Sequence, residues 1–75
     1  MFSTIPKEGI TNANIRFTGI AWNGSNIENC PFDNGLLYSI NYATIGFQMF
    51  IGYQNTGIWY RDTTNTMDNN WIKIS

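Results

Sequence analysis

The sequence predicts an all-β protein: a small antiparallel β-sandwich or partly open barrel of about five strands. Three observations point there. The chain has 75 residues with seven glycines and eleven asparagines, two residue types that accept the backbone angles of tight turns. Its apolar residues alternate with a period of two in several short runs, the signature of pleated strands. No stretch carries the 3.6-residue period of a helix.

Residues Met1 to Asn14 include Pro6 and Gly9 and have no sustained period. They read as a leading segment, or the stub of a connection to something longer, that folds against a neighbouring chain. The β domain proper spans 15–75. Ile15 to Trp22 alternates and then breaks at Gly19, which predicts a first strand at a sheet edge with a bulge or close backbone approach. Asn23 to Asn34 holds Asn-Gly, Asn-Cys-Pro and Asp-Asn-Gly and reads as loop. The Asn23-Gly24-Ser25 sequon reads as a turn.

Gly35 to Tyr42 is the second predicted strand, with Leu36, Tyr38, Ile40 and Tyr42 on one face and Leu37, Ser39 and Asn41 on the other. The centre of the chain is a predicted β-hairpin. Ile45 to Tyr53 places Phe47, Met49, Ile51 and Tyr53 opposite Gln48 and Phe50. Gln54-Asn55-Thr56 turns the chain, and Gly57 supplies a positive φ before the next strand, Ile58 to Arg61. Asp62 to Asn70 is a polar loop containing Met67, and Trp71 to Ile74 closes the chain as a short strand.

A chain this short buries only about 60% of the surface its unfolded form exposes, and such domains commonly add disulfides, a metal or subunit association. One cysteine and no histidine leave association. Twelve aromatic residues against nine charged ones imply that apolar surface meets another chain. The faces expected between subunits are those of Tyr38 and Tyr42, or of Phe47 to Tyr53. A net charge of −1 with four scattered basic residues argues against a nucleic-acid partner. No run approaches the ~20 apolar residues of a membrane helix, and the N-terminus lacks a signal-peptide layout.

The chemistry-bearing residues are sparse. Without histidine, neither Ser39 nor Cys30 has the usual base of a nucleophilic triad. Glu8, Glu28, Asp33, Asp62 and Asp68 all fall in predicted loops or termini, where solvated turn residues outweigh a glycosidase pair. Zinc lacks its ligands, and calcium at Asp62 and Asp68 would have few. Cys30 reads as a small, partly buried thiol with no cation beside it in sequence. No enzyme and no cofactor are expected.

From about Asn14 onward the chain resembles the small all-β knob domains at the ends of phage tail fibres, baseplate appendages and R-type pyocin fibres. The resemblance rests on Thr18-Gly19, Asn29-Cys30-Pro31, Gly35-Leu36-Leu37, Phe47-Gln48-Met49-Phe50, Trp59-Tyr60-Arg61 and Trp71-Ile72-Lys73-Ile74, in that order. One departure is that the family often ends on two tryptophans three residues apart, where Met67-Asp68 precedes a single Trp71. The resemblance implies a homotrimeric tip on a fibre, joined to other fibre domains and carried on a virion or contractile particle, that helps attach the particle to a bacterial surface.

Recognition of a cell-surface polysaccharide or protein is the activity this reading expects. Aromatic faces meet the C–H faces of sugars, and Asn, Asp and Arg fix orientation. The candidate ligand-binding residues are Trp22, Asn23, Trp59, Arg61, Asp62, Asn69, Asn70 and Trp71, in or near the loops Trp22 to Asn34 and Asp62 to Asn70. Each has a packing alternative: tryptophans fill cores and interfaces, and the donor fork of Arg61 ties loops together. The alternative function is a trimerisation or capping domain with no receptor contact; a depolymerase fragment is the weakest reading.

Overall fold

The computed structural model describes residues 8–75; Met1 to Lys7 of the expected leading segment lie outside the described residues. The all-β class holds. Five strands, β1 (Gly19–Gly24), β2 (Asn34–Tyr42), β3 (Ile45–Gly52), β4 (Ile58–Asp62) and β5 (Ile72–Lys73), form one open antiparallel sheet in sequence order.

The central hairpin forms as the alternation predicts. β3 pairs with β4 from Phe47 opposite Asp62 to Ile51 opposite Ile58. A turn of 3-10 helix at Tyr53–Asn55 joins them, with Gln54, Asn55 and Gly57 all at positive φ. Gly57 has φ +146°, a conformation that a side chain rarely adopts. The β2–β3 hairpin turns tightly through Ala43 and Thr44, and Ala43 itself stands at φ +53°.

Several predicted boundaries move, for identifiable reasons. Residues Ile15 to Thr18 lie outside β1: the Ile15 N–H donates to Asn12 O, Phe17 O accepts from Asn41 Nδ2, and the Arg16 side chain reaches across to Asn41 and Thr63. Asn23 and Gly24, predicted as turn, belong instead to β1 and pair with Gly35 and Asn34. The turn follows at Ser25, at φ +68°, whose N–H donates to Asp33 O. The closing strand keeps only Ile72 and Lys73, since Trp71 leaves the sheet line to bond elsewhere.

The alternation sorts the side chains into two unlike faces. One face is covered by the irregular segments of the same chain: residues 10–18, the loop 25–33 and the loop 63–71. It holds the core of Ala13, Phe17, Ala21, Ile27, Leu37 and Phe50, with Phe50 and Leu37 fully buried. Phe50 meets the rings of Trp59 and Trp71 edge-on, at 6.0 and 6.4 Å between centroids.

The same face buries Asn23, Ser39, Gln48 and Arg61, beside Thr63 of the loop above it, and the covering layer explains why. An irregular segment has no ladder partner for its carbonyls, and a buried carbonyl without a donor costs free energy. Side chains from the sheet supply most of the donors, and Arg16 of the covering layer supplies another. Gln48 Nε2 and Arg61 Nη2 both donate to Ala13 O, Asn23 Nδ2 to Phe32 O, Arg16 Nη2 to Thr63 O and Arg61 Nη1 to Asn69 O. At Gly46 the sheet approaches this layer so closely that a Cβ would collide with Thr63, Asn41 and Arg16. The opposite face carries Leu36, Tyr38, Ile40 and Tyr42 of β2 beside Ile51, Met49, Phe47 and Ile45 of β3, and nothing from residues 8–75 layers over it.

Candidate functional site

The two loops singled out by the sequence converge beneath the covered face. Asn29 and Cys30 from one loop, Asp68, Asn69, Asn70 and Trp71 from the other, Asn14 from the leading segment and Arg61 from β4 line a cleft of about 270 Å³. β4 positions Arg61 because alternation turns Trp59 and Arg61 inward while Ile58 and Tyr60 point out. Trp71 is held by its indole N–H, which donates to Asn29 O at 2.7 Å, so one side chain joins the two loops.

Arg61 is the floor of the cleft. Its Nε donates to Gln48 Oε1 at 2.7 Å, Nη1 to Asn69 O at 3.1 Å, and Nη2 to Ala13 O at 3.0 Å and Asn14 Oδ1 at 2.9 Å. All four acceptors are neutral oxygens, which satisfy the donors without cancelling the charge. The guanidinium carbon lies 4.5 Å from the centroid of the Trp71 ring, a cation–π contact. Burial pulls the Arg61 pKa below its ordinary value, while Cys30 and Asp68 act to raise it. The cleft is therefore polar and cationic at its base, aromatic on one wall, and rimmed by amides and the Asp68 carboxylate.

Cys30 adjoins this cation but is not activated by it. Burial pushes its thiol up to about 11, with Arg61 opposing. At neutral pH it is a protonated thiol.

Of the eight candidate residues, Arg61, Asn69, Asn70 and Trp71 meet in the cleft. Asn69 and Asn70 are exposed there, and the Asn69 amide also donates to Asp62 O. The other four lie elsewhere. Asn23 is 1% exposed and is no ligand contact: its Oδ1 accepts from the N–H groups of Asn26 and Ile27, so it organises the loop. Trp22 stands on the outer sheet face, edge-on to Tyr53 at 6.0 Å. Trp59 packs on Phe50 and stacks with Phe32 at 6.3 Å, with Lys73 Nζ 5.5 Å from its ring. Asp62 is exposed, and hydrogen bonding from the Thr64 side chain, together with the Thr64 N–H at 2.8 Å, lowers its carboxyl pKa from the ordinary value.

Sequence reasoning missed Asn14, Asn29, Cys30 and Asp68 as individual lining residues, although the last three fall in the two loops expected to touch a ligand. The signal for Asn29 was present in Asn29-Cys30-Pro31, a turn in which Asn29 takes φ +65°. Asn14 carried none, because its place depends on Arg61 folding back 47 residues along the chain.

Comparison with family profiles, with curated proteins and with solved structures finds no match to this chain.

Proposed function

We propose that this chain is a non-enzymatic attachment module at the tip of a phage tail fibre or similar appendage. It binds a glycan or protein of a bacterial surface through the loops that close the Arg61 cleft. The observation that supports this reading is the convergence of residues 29–30 and 68–71 on one cleft that combines an indole face, a cation and several amides. Those groups match what a sugar offers, a C–H face and a ring of hydroxyls. The cleft is small beside typical ligand sites of about 300–1,000 Å³, so it suits one sugar ring or one polar side chain of a larger receptor.

The test is binding of the fluorescently labelled protein to whole bacterial cells, before and after periodate oxidation of their surface glycans. Asp68→Ala with Asn70→Ala removes two exposed rim groups and leaves the buried network intact. Tenfold or greater loss of binding supports the proposal, and periodate sensitivity then identifies a glycan. Unchanged binding of the double variant overturns it.

A second reading, a trimerisation or capping domain with no receptor contact of its own, is favoured by a different observation: the apolar outer face of the sheet. Under it, cleft substitutions spare adsorption and sheet-face substitutions abolish it.

A further inference from the structure

Two opposite charges line the Arg61 cleft, and no hydrogen bond joins them. Of the eight lining residues only Arg61 and Asp68 are charged, since the Cys30 thiol keeps its proton at neutral pH. Asp68 is exposed at the rim, and its Oδ1 accepts from the hydroxyl of Thr66, its own loop neighbour. Its negative charge reaches Arg61 only through space.

Arg61 is a cation with little water and no bonded anion. It is 2% exposed, and its acceptors are Gln48 Oε1, Asn69 O, Ala13 O and Asn14 Oδ1. A guanidinium carries five N–H donors, and the second donor on Nη1 has no acceptor among the described residues. A buried charge left without an opposite charge is costly, so an anionic group entering the cleft gains a charge-assisted hydrogen bond there.

The same anion, however, meets the like charge of Asp68 at the rim. A ligand with only a negative group is attracted by Arg61 and repelled by Asp68, and a ligand with only a positive group is treated in reverse. A neutral ligand takes up neither charge. One that carries both groups satisfies both ends of the cleft at once, and discrimination follows from the mismatches as much as from the match. The volume of about 270 Å³ accommodates a single ring. The indole wall of Trp71 and the exposed amides of Asn69 and Asn70 offer a sugar stacking and hydroxyl partners.

We propose that the cleft recognises a zwitterionic sugar unit, one ring bearing both a carboxylate and an ammonium group, with the carboxylate toward Arg61 Nη1 and the ammonium toward Asp68. This rests on the reading of the cleft as the receptor site and names the class of glycan it takes.

The experiment is an NMR titration of the full chain with four sugars of one ring skeleton: glucose, glucosamine, glucuronic acid and glucosaminuronic acid. The side-chain amides of Asn69 and Asn70 and the indole N–H of Trp71 report binding. Glucosaminuronic acid is expected to bind at least tenfold more tightly than each of the other three. Asp68→Asn keeps an acceptor for Thr66 and removes the charge. It is expected to weaken glucosaminuronic acid and glucosamine about tenfold and to strengthen glucuronic acid, a reversal that a merely structural role for Asp68 does not produce. Equal affinities for the four sugars, tightest binding of glucose or glucuronic acid, or no shift with any of them overturns the proposal. The cell-binding assay with Asp68→Ala and Asn70→Ala separates the two readings. Lost adhesion beside a charge-blind sugar panel overturns the zwitterion alone, whereas unchanged adhesion beside a charge-selective panel overturns the receptor role and leaves the charge preference standing.

Discussion

Arg61 Nε donates to Gln48 Oε1 at 2.7 Å, across the β3–β4 register that sets these two residues directly opposite each other. Both side chains are buried, and both also donate to the carbonyl of Ala13. One cross-strand pair thus carries the leading segment onto the sheet and holds the cleft floor in place.

That pair yields the first prediction. Gln48→Leu leaves a buried guanidinium N–H without an acceptor, so it is expected to destabilise the fold by about 2–3 kcal/mol. Arg61→Lys is expected to cost as much or more, because a single ammonium group cannot reproduce the planar fork that reaches Gln48, Ala13, Asn14 and Asn69. Urea unfolding followed by tryptophan fluorescence measures both. A loss under 0.5 kcal/mol for either would contradict the role given to the network.

Ala43 gives a prediction of the opposite sign. It is exposed in the β2–β3 turn at φ +53°, where a Cβ costs roughly 1–2 kcal/mol. Ala43→Gly removes that cost but raises the entropy of the unfolded chain, for a net gain of roughly 0.5–1 kcal/mol. The melting temperature should rise by several degrees, and a fall would show that the turn relaxes into another geometry.

Cys30 sets a dependence on alkaline pH. Its thiol stands at about 11 in the folded chain against an ordinary value of 9.0. Below pH 9.0 both states keep the proton, and the thiol's contribution is fully present. Between 9.0 and 11 the unfolded chain ionises first, so stability falls as pH rises. Cys30→Ala should flatten this limb of the stability profile relative to the unaltered chain. At pH 8 the raised value also means about a hundredfold less thiolate, so alkylation by iodoacetamide should be slow in the native protein and fast in urea; equal rates would contradict the burial.

The period-two pattern was enough to place β2, β3 and β4 and the hairpin between the last two, because every second residue from Leu36 to Tyr42 and from Phe47 to Tyr53 is large and apolar. Turn chemistry at Gly57 was equally local. The cleft was half legible: Arg61, Asn69, Asn70 and Trp71 stood out as aromatic and polar groups in or beside a predicted loop, whereas Asn14 and Asn29 reach it only through hydrogen bonds spanning tens of residues.

The strands, and which side chains share a face, follow from the period-two alternation. Only the tertiary structure decided which face is inside. By hydrophobicity alone the Tyr38, Ile40, Phe47 and Ile51 face would be the core, yet the face with Ser39, Gln48 and Arg61 is the buried one. The reason is the covering layer. It is built of irregular segments whose carbonyls lack ladder partners, so it draws on the amide and guanidinium donors of that face. The apolar face is left pointing away from that layer.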